Sequence, residues 1–151
     1  MMGLLSILLV GLQLSASLAT APTIEAKVTI HPKVLNLKRN GTGVHGVFSV
    51  FISNLENDSV SYDVREINVS TIMLYHETTF VASANRTMVA KGKLIVKFDA
   101  ATVANYIWFK LWHIIPLLAP PPDYTMTFTV EGELLNGEEF AGRGTIMIIF
   151  P

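Results

Sequence analysis

The sequence predicts an all-β protein, an immunoglobulin-like or Greek-key β-sandwich of about seven strands with one short helix at about residues 100–112. The first observation behind this prediction is that many segments alternate apolar and polar side chains, as strands with one buried face do. The second is that glycine, asparagine and proline separate those segments at short intervals. Only the segment after Asp99 has its apolar residues at helical spacing.

The clearest element is a hairpin over residues 124–150, where threonines alternate with apolar side chains before the turn Asn136-Gly137. A two-residue loop would set apolar residues of one strand against polar residues of the other. A three-residue loop, 135–137, with Gly137 in the left-handed conformation avoids this mismatch. The pairs that we predict are Met126 with Ile146, Tyr124 with Ile148, and Phe140 with Gly132.

The same alternation predicts the remaining strands. They cover residues 23–31, 44–52, 67–77, 79–84 and 93–98, with a short apolar patch at 34–37. In the strand 93–98, Leu94, Val96 and Phe98 are expected to face the core. The polar segment 54–63 is rich in turn-forming residues and is predicted to be a loop.

The helix is predicted to begin at Asp99, a good N-cap residue, and to place Val103, Ile107 and Leu111 on its core side. The segment 106–118 is more apolar than one core-facing side requires. Its surplus side chains either cap one end of the core or form a patch that docks a subunit, a membrane surface or an attached domain. The candidate patch residues are Tyr106, Trp108, Phe109, Trp112 and Ile115.

The first residues are typical of an export signal. An apolar run over 3–14 leads to small residues before Pro22, which predicts a signal peptide at 1–21 and a single domain at 22–151. An uncleaved membrane anchor is the alternative, and both interpretations place the domain outside the cell. Four N-x-Ser/Thr sequences agree with an extracellular or cell-surface location. The candidate glycosylation sites are Asn40, Asn57, Asn68 and Asn85.

Composition and motifs argue against catalysis. The absence of cysteine excludes disulfides and thiol chemistry, and the four histidines lack metal-ligand spacing. No nucleophile or phosphate-binding motif occurs, so we expect neither an enzyme nor a cofactor. Charges of both signs are interspersed with a net charge of −1, which gives no reason to expect nucleic acid as a partner.

Four blocks, taken in order, resemble a module of secreted and cell-surface proteins of archaea and bacteria that has no assigned activity. They are residues 28–37, 62–72, 96–99 and 130–142. The resemblance implies an immunoglobulin-like or similar sandwich outside the membrane, often an accessory or repeated module beside other domains. The chain departs from the pattern at His31, Lys33 and Arg143-Gly144, where relatives carry acidic residues, so a calcium site of theirs is not expected here.

These observations favour a non-catalytic structural or adhesive protein at a prokaryotic, and by expectation archaeal, cell surface. Its partner is expected to be a protein or another copy, with membrane contact only through an uncleaved N-terminus or the aromatic patch. One alternative is a filament subunit whose first strand, freed by signal cleavage, adds to a neighbouring sheet. The residues of that strand are Ile24, Ala26, Val28 and Ile30. The other alternative is a secreted carbohydrate-binding or enzyme-accessory module.

Overall fold

The computed structural model describes residues 24–37, 46–111 and 124–149, and within these ranges it contains ten strands and one helix. The predicted signal segment therefore lies outside the described residues. The strands are β1 (Ile24–His31), β2 (Val34–Asn36), β3 (Val47–Asn57), β4 (Val60–Tyr62), β5 (Ile67–His76), β6 (Thr79–Ser83), β7 (Arg86–Ala90), β8 (Lys93–Asp99), β9 (Tyr124–Leu134) and β10 (Glu139–Ile149). The helix is α1 (Ala100–Leu111), and a 3-10 turn covers Val64–Glu66.

The strands form one mixed sheet, so the predicted two-sheet sandwich is wrong. The strand order is β6-β5-β9-β10-β1-β3-β8-β7, with β2 beside β10 and β4 beside β3. The decisive strand is β1, which pairs in parallel with β10 and antiparallel with β3. It hydrogen-bonds together the two groups of strands that a sandwich would keep in separate sheets.

The sheet curls into a half-barrel around its apolar inner face. Phe48 on β3 and Phe128 on β9 belong to strands three steps apart, about 14 Å in a flat sheet, yet their ring centroids are 5.8 Å apart. The two ends of the sheet also approach each other. The backbone N–H of Ala84 donates to Ile72 on β5, and the N–H of the next residue, Asn85, donates to Lys97 on β8.

Helix α1 covers the concave side, where it packs against β3, β6 and β8. Asp99 caps it as predicted, because its Oδ2 accepts hydrogen bonds from the Thr102 N–H at 3.1 Å and the Thr102 hydroxyl at 2.7 Å. These bonds lower the pKa of the Asp99 carboxyl. The predicted core residues Val103, Ile107 and Leu111 are buried.

The predicted hairpin register is confirmed. Tyr124 faces Ile148, Met126 faces Ile146 and Gly132 faces Phe140. The loop holds Gly137 at φ +90°, and the Leu134 N–H donates to the Glu138 carbonyl across it at 2.8 Å. The alternation decides this register, because it places the apolar residues of both strands on the inner face.

The interpretation of residues 54–63 as a loop is wrong. Strand β3 continues to Asn57, and a two-residue turn at Asp58 returns the chain into β4. Strand β7, which sequence patterning missed, is joined to β8 by the turn Lys91-Gly92. Asp58 and Lys91 adopt positive φ angles, as tight hairpin turns require, although neither turn has the Asn-Gly pair that marks the β9–β10 hairpin.

Two glycines of β10 allow β1 to lie close against it. A Cβ on Gly142 would clash with the carbonyl of Ala26, and one on Gly144 would lie 2.8 Å from Ile30 Cγ1. Val28 borders both glycines. The first strand is therefore packed directly against the backbone of β10 at these two positions.

We predict that Gly142→Ala lowers the free energy of unfolding by about 2 to 3 kcal/mol, because its methyl group meets backbone that cannot rotate away. Gly144→Ala should have a smaller effect, since it meets side-chain atoms of Ile30 and Val28. Thr145→Ala, an exposed position on the same strand, is the control and should change stability by less than about 0.5 kcal/mol. Urea unfolding measures all three, and equal stability of the three variants would contradict the close packing.

Candidate interaction surfaces

The aromatic residues of α1 divide between the core and the surface. Tyr106 and Trp108 are half-buried and pack against the core, whereas Phe109 is 70% exposed. Trp112 and Ile115 lie outside the described residues. Capping of the core therefore accounts for Tyr106 and Trp108, while Phe109 is available for contact.

Tyr106 joins the helix to the sheet through a polar contact. Its hydroxyl lies 2.8 Å from Nδ1 of His76 on β5, and the His76 ring lies 5.9 Å from that of buried Phe128. Burial raises the pKa of Tyr106 above its ordinary 10.0; a hydrogen bond with Thr79 opposes the rise and the charge of Glu77 adds to it. The native state therefore favours the protonated phenol.

We predict that Tyr106→Phe lowers the free energy of unfolding by about 1 kcal/mol at neutral pH, the usual net value of one hydrogen bond. The raised pKa stabilises the native state below pH 10 and this contribution is lost at higher pH, so the difference from the wild type should shrink on the alkaline side. Urea unfolding of the variant and the wild type at a series of pH values measures this difference in free energy. Tyr75→Phe is the control, because the hydrogen bonds of that hydroxyl among the described residues are limited to a long one to the Met73 sulfur at 3.5 Å. A difference in the free energy of unfolding that is constant at all pH values would contradict the raised pKa of Tyr106.

The residues that alternate with the buried ones along each strand form the outer face of the sheet. This face carries a row of apolar side chains. Met88 on β7 faces Ile95 on β8, which faces Phe51 on β3. Met88 is 53% exposed, and the other two are half-buried. The ring of His31 on β1 packs edge-on against Phe51 with centroids 4.9 Å apart. The row is therefore continuous across β7, β8 and β3, and it reaches the side of β1.

Three pairs of like charges stand directly opposite each other on the outer face. The basic pair is Arg86 and Lys97, on β7 and β8. The two acidic pairs are Glu25 with Glu56, and Glu133 with Glu139. Like charges directly opposite each other are unfavourable, but opposite charges lie beside these pairs: Lys27 is two residues from Glu25 on β1, and Asp99 is two residues from Lys97 on β8.

Sequence patterning could find one of these three pairs. Alternation indicated that Lys93, Ile95 and Lys97 face outward, as they do. The position of Arg86 opposite Lys97 depends on β7, which the sequence did not reveal. The acidic pair Glu133 and Glu139 does follow from the predicted hairpin register and was the available signal.

A second apolar group lies on the outer face near the other edge of the sheet. Phe80 on β6 is 51% exposed and meets Tyr75 on β5, beside Met73. The two rings are nearly perpendicular, with centroids 6.1 Å apart and an interplanar angle of 75°. This arrangement does not provide the flat aromatic platform on which a sugar ring stacks.

The candidate strand-exchange residues lie within the sheet of their own chain. Ile24 and Ile30 are buried, and Ala26 and Val28 are partly buried against the core. The parallel contact of β1 with β10 includes two residue pairs, Ile24 with Phe140 and Glu25 with Ala141, whereas its contact with β3 is longer. Exchange between chains stays a prediction.

Three of the four candidate glycosylation sites lie at turns or irregularities of the sheet. Asn57 is half-buried at the end of β3, and Asn85 is exposed between β6 and β7. Asn68 lies where the pairing of β5 with β9 is interrupted, and its Oδ1 accepts a hydrogen bond from the Ser70 hydroxyl at 2.7 Å. Asn40 lies outside the described residues, and glycosylation stays a prediction.

Comparison with protein-family models, with curated proteins and with solved structures finds no match to this chain. The resemblance to exported prokaryotic modules therefore stays a prediction based on the sequence blocks alone. Within the described ranges, no group of three His, Cys, Asp or Glu side chains is placed to hold a metal ion. In the same ranges, no helix has the length and apolarity needed to cross a membrane.

We predict that Lys97→Glu raises the free energy of unfolding by about 0.5 kcal/mol, because it converts the basic pair into an opposite-charge pair with Arg86. Added salt should reduce the gain. Lys33→Glu, in the exposed turn between β1 and β2, changes the net charge equally and should leave stability unaltered. Thermal unfolding at low and high salt checks both variants. A loss of stability in Lys97→Glu would show that the two side chains do not face each other.

Proposed function

We propose that this protein is a non-catalytic structural or adhesive component of the cell exterior that acts by binding other proteins. The observation that supports the proposal most is the outer face of β7, β8 and β3. Its row of Met88, Ile95 and Phe51 is bordered by Arg86, Lys97 and His31. An apolar centre with a polar border is typical of a protein-binding surface.

Export is supported by the sequence. The segment 1–21 has the pattern of a signal peptide, and the sites at Asn68 and Asn85 lie where an attached glycan could project from the sheet. The exposed Phe109 of α1 offers a further contact on the helical side. The apolar row lies on a broad, curled sheet that holds its side chains rigidly, which reduces the entropy lost on binding.

Strand exchange through β1 is the second candidate. The short parallel contact of β1 with β10 favours it, because few backbone hydrogen bonds would have to break on that side. The burial of Ile24 and Ile30 disfavours strand exchange, because both side chains would have to leave the core of one chain and enter that of another. The two candidates differ in their response to salt, because swapped strands are held by backbone hydrogen bonds and apolar burial rather than by charge.

We predict that the protein is accessible to added protease on intact cells that produce it, and that Met88→Ser weakens its retention at the cell surface. Loss of one buried methionine contact lowers binding about tenfold, which corresponds to about 1.4 kcal/mol. Val60→Ser is the matched control, because Val60 is 52% exposed on β4, away from the apolar row. The measurement is the amount of each variant in the envelope and medium fractions.

Retention of the chain inside intact cells would contradict export. Equal release of the Met88 and Val60 variants, both folded, would show that the apolar row is not the contact surface. A chemical activity that follows a pocket rather than the outer face would contradict the non-catalytic proposal.

A further inference from the structure

Strand β7 lies at one border of the sheet, and within the described ranges only β8 pairs with it. We refer to its other side as the free edge. The strand is held at both ends. At its start the N–H of Asn85 donates to Lys97 on β8 at 2.8 Å, and the N–H of the preceding residue donates to β5. At its end the turn 91–92 returns the chain into β8. The free edge therefore has strand geometry before any partner binds.

The turn determines which backbone groups lie on the free edge. Both residues of the turn 91–92 have positive φ angles, as in a two-residue hairpin loop whose flanking residues, here Ala90 and Lys93, are hydrogen-bonded to each other. Hydrogen-bonded and non-hydrogen-bonded pairs alternate along an antiparallel ladder. The N–H and C=O groups of Thr87 and Val89 therefore point away from β8, into the free edge.

Apolar side chains border the free edge on both faces of the sheet. Met88 is 53% exposed on the outer face, and Val89 is 40% exposed on the opposite face. The strand contains no proline, which would block further pairing. Because an apolar edge with unused backbone groups readily pairs with another chain, the free edge is suited to the addition of a strand.

The hairpin of β7 and β8 is basic. Its single carboxylate, Asp99, accepts two hydrogen bonds from Thr102 as the cap of α1. Cations lie on the outer face to both sides of Met88, because Arg86 precedes it by two residues on β7 and Lys93 faces Ala90 on β8. The cations of the hairpin are Arg86, Lys91, Lys93 and Lys97.

The acidic side chains of neighbouring elements leave these cations unpaired at close range. Glu56 and Asp63 line one cleft with Gly92 and Arg65, beside the turn of the hairpin. Asp63 forms an ion pair with Arg65 at 3.6 Å, and the ion pairs within 4.0 Å among the described residues are limited to this one. Strand β3, which lies next to β8, carries no charged residue before Glu56. The cations of the hairpin are therefore available to an acidic partner.

We infer that β7 binds an extended segment of another protein, which adds to the free edge as a further strand. The segment has an apolar side chain opposite Met88 and a carboxylate two residues to each side of it. One carboxylate lies opposite Arg86, and the other lies opposite the small side chain of Ala90, beyond which Lys93 can reach it. On the opposite face an apolar side chain covers Val89. This inference rests on the proposed function, because it specifies the partner of the same surface.

A second copy of this chain satisfies the free edge less well. In antiparallel pairing of two β7 strands about Met88, Arg86 of one copy lies opposite Ala90 of the other and next to that copy's Lys93. Cations of both hairpins then lie side by side on one sheet and repel each other. The charge of the hairpin therefore favours a partner with acidic side chains.

A synthetic peptide with the central sequence Glu-Val-Leu-Val-Glu is the probe. In the added strand, its Glu and Leu side chains lie on the outer face, and its two Val residues exchange backbone hydrogen bonds with Thr87 and Val89. Fluorescence anisotropy of the labelled peptide measures its binding to the purified chain. Binding is expected at low salt and should weaken as salt is added.

Three modified peptides separate backbone pairing from charge attraction. N-methylation of both Val residues removes the N–H groups that point towards β7, and it should weaken binding about tenfold or more. N-methylation of the Leu is the matched control, because that N–H points away from β7 and its loss should change binding by less than about threefold. Replacement of both Glu residues by Lys should weaken binding about tenfold or more, since like charges then meet.

Val89→Pro tests the same hydrogen bonds in the protein. The change removes an N–H on the free edge, where proline is tolerated, and should weaken peptide binding about tenfold. Ser61→Pro is the matched control, because the same alternation places the Ser61 N–H on the side of β4 that faces away from β3. Thermal unfolding verifies that both variants fold. Equal binding by the two folded variants would contradict strand addition.

Three further outcomes would overturn the inference. If the peptide does not bind the wild type at low salt but vesicles containing phosphatidylglycerol do, the hairpin binds an anionic lipid surface. Equal binding of the two N-methylated peptides would show that charge alone attracts the partner. A dimer of this chain that Val89→Pro abolishes would assign the free edge to a second copy. The release of the Met88 variant from cells tests the proposed function separately, so that proposal can survive each of these results.

Discussion

The close contact of β1 with β10 is the constraint on which the fold depends. Without side chains at Gly142 and Gly144, β10 accepts Ala26, Val28 and Ile30 directly against its backbone. The other edge of β1 is paired along most of its length with β3. One strand therefore joins the group β6-β5-β9-β10 to the group β3-β8-β7, and removing it would leave two separate sheets.

Continuity of the sheet explains why the molecule needs its helix. A curled sheet of this width buries its concave face only if something fills it, and here the opposing rings of Phe48 and Phe128 meet across the middle. Helix α1 completes the filling with Val103, Ile107 and Leu111 against β3, β6 and β8. The hydrogen bond between Tyr106 and His76 then fixes the helix relative to β5, at the rim of the apolar interior.

The sequence predicted features that depend on neighbouring residues, and it failed where distant strands choose their partners. The hairpin register follows from alternation on two adjacent strands, and the cap at Asp99 follows from one residue type. The parallel pairing of Ile24 with Phe140 joins residues more than a hundred positions apart, and no local pattern encodes it. The sandwich prediction failed for this reason, since alternation specifies a buried face but not which strands share a sheet.

The same limit applies to the candidate surface. Aromatic residues of the helix were visible as a cluster in the sequence, and the structure uses Tyr106 and Trp108 largely for packing. The pairs Arg86 with Lys97 and Glu25 with Glu56 were hidden, because they depend on strand pairings that the sequence did not reveal. The pair Glu133 with Glu139 follows from the predicted hairpin register. A net charge of −1 with both signs interspersed does not show which charged side chains the register sets opposite each other.

The position of β1 also bears on how copies of this chain could associate. To exchange β1, each molecule would have to break the join between its own two groups of strands and expose Ile24 and Ile30 before a neighbour could replace them. Contact through the outer face requires no such opening, because Met88 and the charged pairs already lie at the surface of the folded chain. Association of intact molecules is therefore the route with the lower barrier, and exchange becomes accessible only under conditions that loosen the packing of β1 over Gly142 and Gly144.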